Sequence, residues 1–216
     1  MNTKRPAWTP RSTVRSGTAS KGGWLTGYFR AFGLSTAAGL NAYIPLLTVG
    51  LLDRYTDLIQ LSSPWDKLGD PLVLGIVGVV GLADFVGDKV PIVDHVLHLI
   101  GTVVAPVVGG VLALASATAF DLSPGLVVPL GVAAALATQV ARTAARPVST
   151  VTTGGGGNPV LSLAEDGVSG ALSITALVWP VVTAILAVIV LVVVFLLWRR
   201  WRAFRERIQT RDLRAS

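Results

Sequence analysis

The sequence predicts an all-α integral membrane protein, and three observations carry that prediction. Of its 216 residues, 52% are hydrophobic and only 14% are charged, and the mean hydropathy is +0.66. Uncharged stretches long enough to cross a bilayer recur along the chain, and basic residues collect at its two ends. Soluble domains carry about 25% charged residues, and disordered chains combine low hydrophobicity with high charge. The composition therefore excludes both of these classes and indicates a multi-pass membrane protein.

The two flanks of the chain hold most of its basic residues. Residues 1–30 contain six and no acid, and the segment after Trp198 contains seven arginines and two acids, which leaves 5 of the 18 basic and 10 of the 12 acidic residues in between. Because lysine and arginine are retained on the cytoplasmic side, both ends are predicted to be cytoplasmic in a bacterial inner membrane and to attract anionic lipids. We expect no nucleic-acid partner, since these charges flank apolar spans. The predicted parts are a disordered tail, a transmembrane domain and a second basic tail, namely residues 1–29, 30–198 and 199–216.

Five uncharged or nearly uncharged windows predict membrane spans, since a span needs about 20 residues at 1.5 Å each. They are residues 31–52, 71–90, 99–120, 122–141 and 171–198. Gly39, Asn41 and Pro45 interrupt the first window, and the second is long enough only if it includes Asp84. The third and fourth windows are joined by a tight turn at Asp121–Gly125, and the last fits one long helix.

A sixth crossing follows from the basic ends, because two cytoplasmic ends require an even number of crossings. The remaining candidate is residues 147–166, whose glycine-rich, polar sequence cannot form an ordinary lipid-facing helix. We therefore predict a broken or re-entrant segment there. Six crossings permit an inverted 3+3 repeat. Its support in the sequence is the pattern Gly-x-Asn-small, which is shared by residues 39–42 and 156–159.

Ionisable and amide side chains within apolar segments are the candidate ligands for an ion or a small solute, because burying them there is costly. Asp84 and Asp88 share a helix face, and Asp94 and His98 share another if a new helix begins after Pro91. Alternatively, the segment around Asp88 is a solvated cytoplasmic turn. The candidate binding residues are Asn41, Asp84, Asp88, Asp94, His98, Asn158 and Glu165.

Two positions of Glu165 are compatible with the sequence. It pairs in the core with Asp84 or with Arg142 or Arg146, or it lies near a helix amino terminus, where an acid complements the dipole. The first interpretation makes it part of a functional site, and the second makes it structural.

A glycine run forms either an anion-binding nest of backbone amides or a flexible connection between helices. It comprises Gly154, Gly155, Gly156 and Gly157. No Gly-Lys-Ser/Thr follows it, which excludes a Walker-type phosphate loop. With no cysteine and only two histidines, the chain shows no nucleophile–base set. The sequence therefore does not favour an enzyme, predicts no cofactor and leaves a metal open.

The segment 149–162, which reads STVTTGGGGNPVLS and is followed by Ala164-Glu165, resembles a bacterial family of small multi-pass membrane proteins known as a domain of unknown function. The resemblance extends to segments 33–47 and 90–94 and covers the chain outside its two tails. It implies acids at the positions of Asp84, Asp94 and Glu165 and more variation at Asp88, Lys89 and Asp166, but no activity. A weaker likeness joins residues 84–90 to cation/proton antiporters of the Golgi calcium–manganese type.

Three classes of function are compatible with these observations. The first is a secondary transporter or channel for an ion or small solute, with its site at the broken segments around Asn41 and Asn158 and with Asp84 and Glu165 as carriers. The second is a lipid-modifying or lipid-carrying protein, and the third is a scaffold whose tails recruit a partner. The small size favours a homo-oligomer.

Overall fold

Helices make up nearly all of the described chain. The computed structural model describes residues 23–87, 91–154 and 156–215, without the side chains of residues 91–99, 203–215 and a few others. Within these ranges there are seven α-helices, a short 3-10 helix at Trp65–Gly69 and no β-strand, which confirms the all-α fold. The helices are α1 (Gly23–Leu40), α2 (Tyr43–Tyr55), α3 (Pro71–Gly87), α4 (Pro91–Phe120), α5 (Pro124–Thr153), α6 (Asn158–Val178) and α7 (Pro180–Ala215). Thus α1 begins inside the predicted tail, and α7 continues past residue 198.

Length and apolar composition make three of the described helices able to span a membrane. They are Ile100–Phe120 of α4, Pro124–Val151 of α5 and the whole of α6, while α3 and the first part of α7 are apolar but shorter. Large aliphatic side chains such as Leu72 and Val103 lie exposed on the outside, whereas alanine, serine and threonine occupy much of the interior. This distribution is typical of helices packed in lipid. It supports a membrane protein, but the six predicted crossings are not confirmed.

The tight turn predicted between the third and fourth windows is confirmed. After α4 ends at Phe120, Asp121 adopts a left-handed conformation with a φ of 53°. The Leu122 N–H then donates to the carbonyl of Ala117 at 2.9 Å, which is the hydrogen bond of a Schellman-type helix end. Pro124 starts α5 at a position where the missing N–H has no intrahelical partner to lose.

Two predicted segments are wrong in their boundaries. The window 171–198 is not one helix, because the chain breaks at Trp179 between α6 and α7. Pro180 has no N–H and disfavours helical backbone in the residue before it, and Trp179 accordingly has φ −131° and ψ 70°. Residues 147–166 are not a separate crossing, since their first part completes α5 and their last part begins α6. The break predicted within them is present at residues 154–157.

Small residues let α1, α4 and α5 approach each other closely. A β-carbon at Gly131 of α5 would lie only 2.7 Å from the Ser35 Oγ of α1, and that hydroxyl donates to the Gly109 carbonyl of α4 at 2.9 Å. One turn further along α1, Gly39 faces the carbonyl of Ala135, one turn further along α5. The two helices therefore run in the same direction, and α4, joined to α5 by the tight turn, runs the other way.

The last helix also follows α1. Gly33 of α1 lies against Thr183, near the start of α7. Ala187, one turn further along α7, belongs to a buried cluster with Ala37 and Leu40 of α1. The chain therefore reverses at the α6–α7 break, and α7 runs in the same direction as α1.

These directions contradict the predicted inverted repeat. An inverted repeat requires the helices that carry the matching motifs to run in opposite directions, yet α1, which precedes Asn41, and α5, which precedes Asn158, run the same way. The shared Gly-x-Asn pattern lies at the start of α2 and at the start of α6, and it does not mark two inverted repeats. Moreover, the amino end of α1 and the carboxyl end of α7 lie at opposite ends of the bundle. This holds for the described helices, and the cytoplasmic location of the two flanks stays a prediction.

Candidate functional site

The break between α1 and α2 lies halfway along the bundle. Gly39, in the last turn of α1, packs against Thr138, the fifteenth of the 30 residues of α5. Asn41 follows α1 and is only 4% exposed. Its side-chain oxygen accepts hydrogen bonds from the N–H groups of Tyr43 (3.0 Å) and Ile44 (3.4 Å) and so caps α2. Asparagine thereby satisfies amides that the broken helix leaves without a backbone partner.

Polar groups of α6 face this break. The Asn41 Nδ2 donates to the Asp166 Oδ1 at 2.8 Å, and both side chains are buried. The Ser169 Oγ donates to the Ala37 carbonyl at 3.0 Å and lies 3.3 Å from the Asn41 carbonyl oxygen. The Asp166 Oδ2 is buried and has no hydrogen-bond partner in the described structure. Hydrogen bonds from α6 therefore hold the end of α1, and the Asp166 Oδ2 beside it accepts no hydrogen bond from the described residues.

Glu165 faces α5. Its Oε2 accepts from the Arg142 Nε at 2.7 Å and from the Arg146 Nη2 at 3.3 Å, and the three side chains are only 7–8% exposed. Buried charges require such pairing because desolvation otherwise outweighs their other interactions. Glu165 therefore pairs with the arginines in the core, as one of its two predicted positions requires, and its part in a functional site stays a prediction. The alternative of a helix-terminal acid is wrong, since α6 begins two turns earlier at Asn158.

Asp84 approaches the same break from α3. It is half-buried and lies one turn beyond Gly81 of α3, which packs against Tyr43, the first residue of α2. The helices approach here because Gly81 has no side chain, and a β-carbon at that position would lie 3.0 Å from the Tyr43 Cβ. Three other candidates, the side chains of Asp88, Asp94 and His98, lie outside the described part of the structure, as does Gly155.

Asn158 and the glycine run lie at the end of the α5–α6 hairpin. The Asn158 Nδ2 donates to the Thr150 Oγ1 at 3.0 Å. The N–H groups of Gly156 and Gly157 donate to the carbonyl and the hydroxyl of Thr153, at 3.3 and 2.9 Å. These two amides therefore serve the turn itself, which is the geometry of a connection between helices. Asn158 lies two turns before the acids of α6 and does not join Asn41.

A buried polar stripe runs along α6, and counting uncharged windows does not detect it. Its members recur at helical spacing on one side of an otherwise apolar helix, which is a signal for a protein-facing surface. They are Ser162, Glu165, Asp166, Ser169 and Ser173. This spacing is legible in the sequence and would have added Asp166 and Ser169 to the candidates. Among the residues with described side chains, no three histidines or acids come together as a metal-binding group.

Replacing Asn41 by alanine is expected to lower the free energy of unfolding by about 2–4 kcal/mol. The substitution removes the cap of α2, worth about 1 kcal/mol, and leaves the buried Asp166 carboxylate without its donor, which costs about 1–3 kcal/mol. Equilibrium unfolding of the purified protein in mixed micelles measures the loss. Asn158→Ala, which removes one hydrogen bond at an exposed turn, is the matched control and should cost less than about 1 kcal/mol. Equal losses would contradict the role given to Asn41.

The described structure is an all-helical bundle around a buried ion network, and three of its helices are long and apolar enough to span a membrane, which indicates a membrane protein. Residues 29–200 match the family model described as "Domain of unknown function (DUF4126)", and the chain belongs to this family. The resemblance seen in the sequence is thereby confirmed, and the family assigns no activity. No curated protein and no solved structure matches the chain.

Proposed function

We propose that this protein is a small secondary transporter or channel of the bacterial cytoplasmic membrane that moves an ion or a small solute. The observation that carries the proposal is the burial of charged residues beside a helix break halfway along the bundle. Burying ionisable groups at such depth costs free energy, and such groups are therefore functional candidates. Broken helices at mid-depth are also the form that binding sites take in many secondary transporters.

The proposed site centres on the break between α1 and α2. Asn41, Asp166 and Ser169 line it from α1 and α6. Glu165, with its two arginines, holds α6 against α5, and Asp84 lies one turn beyond the contact between Gly81 and Tyr43 at the start of α2. Movement of α6 relative to the break would change the access to these groups.

Orientation and assembly are part of the same proposal. We place the carboxyl-terminal flank in the cytoplasm, because its seven arginines lie within a short distance of the last apolar segment. Anionic lipids at the basic flanks and a homo-oligomer complete the proposed partners. A lipid-handling protein has less support, since both buried arginines donate to Glu165 rather than facing outward for a phosphate. A scaffold has no need of a buried ion network.

Reconstitution tests the transport proposal. Purified protein in liposomes of phosphatidylethanolamine and phosphatidylglycerol is expected to move a proton, a cation or a small solute down an imposed gradient, measured with entrapped pH- and ion-sensitive dyes. Asp84→Asn and Asp166→Asn should slow this flux at least about tenfold, because each removes a charge at the proposed site. Asp57→Asn, an exposed acid between α2 and α3, is the matched control and should leave the flux unchanged.

Two outcomes would count against the proposal. Wild-type protein that moves nothing under any imposed gradient would overturn it. Equal slowing by Asp57→Asn would show that the loss of flux reflects general damage and not the proposed site.

A further inference from the structure

Asp166 is a buried carboxylate with one neutral hydrogen-bond donor. It is 9% exposed, and the Asn41 Nδ2 donates to its Oδ1. Its Oδ2 has no hydrogen-bond partner among the described residues. Arg142 and Arg146 donate to the neighbouring Glu165, which faces α5. A buried carboxylate in these surroundings requires a positive charge or a proton from elsewhere.

Three oxygen atoms meet one helical turn from Asp166. The Ser169 Oγ lies one turn further along the same face of α6, in contact with the carbonyl oxygens of Ala37 and Asn41 at the end of α1. The carboxyl end of a helix carries a partial negative charge. The Asn41 side-chain oxygen, in turn, accepts hydrogen bonds from two amides at the start of α2. These oxygen atoms and the carboxyl end of α1 would favour a cation beside Asp166.

We infer that the Asp166 Oδ2 anchors a site for one small monovalent cation of the sodium type, completed by oxygen atoms of Ser169 and of the end of α1. One carboxylate balances one positive charge, whereas Ca²⁺ takes about six to eight oxygen ligands and Mg²⁺ keeps several waters in a near-ideal octahedron. Carboxylate, hydroxyl and carbonyl oxygens are the hard ligands that such a cation requires.

This inference deepens the proposed function by naming the class of ion. The role of the cation in transport rests on that proposed function, but its binding does not. Binding is therefore measured at equilibrium, without flux, on the full chain in nanodiscs of phosphatidylcholine and phosphatidylglycerol.

The readout is the midpoint of thermal unfolding when sodium chloride replaces choline chloride at constant ionic strength and pH. The wild-type midpoint is expected to rise by several degrees and to saturate, because a ligand that binds only the folded state stabilises it. Asp166→Asn should lose this response, and the exposed control Asp57→Asn should keep it. Binding of radioactive sodium gives the same comparison directly.

Measurements on the wild-type protein alone, with a series of monovalent cations, also test whether Asp166 binds a metal cation. If its midpoint responds to pH but not to sodium, lithium or potassium, a proton and not a metal cation serves Asp166, and the inference is overturned. Should Asp166→Asn fail to fold, Ser169→Ala is the second variant, and it should weaken sodium binding several-fold while keeping the fold. Sodium binding without flux would sustain this inference and overturn the transporter. Flux without any cation-dependent shift would do the reverse.

Discussion

Replacing Glu165 by glutamine is expected to lower the free energy of unfolding by about 3–5 kcal/mol. Arg142 and Arg146 share one oxygen of this carboxylate, so the substitution takes the common counter-charge away from two buried guanidinium groups. The loss exceeds the net contribution of the ion pairs themselves, because the arginines remain desolvated. Unfolding in mixed micelles measures it, with the exposed Asp57→Asn as a control that should change stability by less than about 0.5 kcal/mol.

A triple substitution separates the stability of this cluster from its function. Glu165→Leu combined with Arg142→Leu and Arg146→Leu removes all three charges together. Apolar replacement of a whole buried ion cluster is often neutral or stabilising. The triple variant should therefore regain most of the stability that Glu165→Gln loses and should still fail to transport. A triple variant as unstable as the single one would contradict the electrostatic explanation, and normal transport would remove the cluster from the proposed mechanism.

The second large effect is expected at Gly131, where alanine should destabilise the protein by about 3 kcal/mol or more. A β-carbon there would lie 2.5 Å from the Ala113 Cβ, 2.7 Å from the Ser35 Oγ and 3.0 Å from the Gly109 carbonyl oxygen. These neighbours belong to two different helices and include backbone, so α1 and α4 would both have to move away from α5. The better helix propensity of alanine, worth about 1 kcal/mol, is too small to compensate.

The matched control is the same substitution at Gly78 on α3. A β-carbon at that position has no neighbour within 4 Å. Gly78→Ala should therefore be neutral or should stabilise the protein by up to about 1 kcal/mol through helix propensity. Thermal unfolding of the two variants side by side distinguishes packing from propensity. If Gly131→Ala proved as stable as Gly78→Ala, the close approach of α1, α4 and α5 would be wrong.

The sequence predicts local features of this fold because they depend on local chemistry. Hydropathy identifies the helices, and the turn at Asp121–Gly125 follows from its turn-forming residues. The break at Asn41 is likewise visible, since Gly39 and Pro45 flank it. The break at Trp179 had a comparable signal in Pro180, which the long run of apolar residues around it conceals.

The directions of the helices and the partners of Asn41 depend on contacts between residues that are far apart in the sequence. The direction of α7 is determined by the packing of Gly33 against Thr183, and no periodicity in the sequence contains that pairing. Charge at the two flanks is an even weaker guide, since it reports membrane faces and not helix neighbours. Glu165 was predictable, because buried acids need basic partners. The hydrogen bond from Asn41 to Asp166 joins residues 125 positions apart and required the fold.

The length of α7 has a mechanical consequence. Its 36 residues extend about 54 Å, nearly twice the roughly 30 Å thickness of the hydrocarbon core. Its contacts with α1, at Thr183 and Ala187, lie close to its first residue, and α5 and α6 also pack against it. The far end of α7 is about 40 Å beyond the contacts with α1. If α7 tilted as a rigid rod about its contacts with α1, a tilt of about 10° would move its far end by about 7 Å. A small displacement beside Asn41 would thus be amplified at the arginine-rich end of the chain.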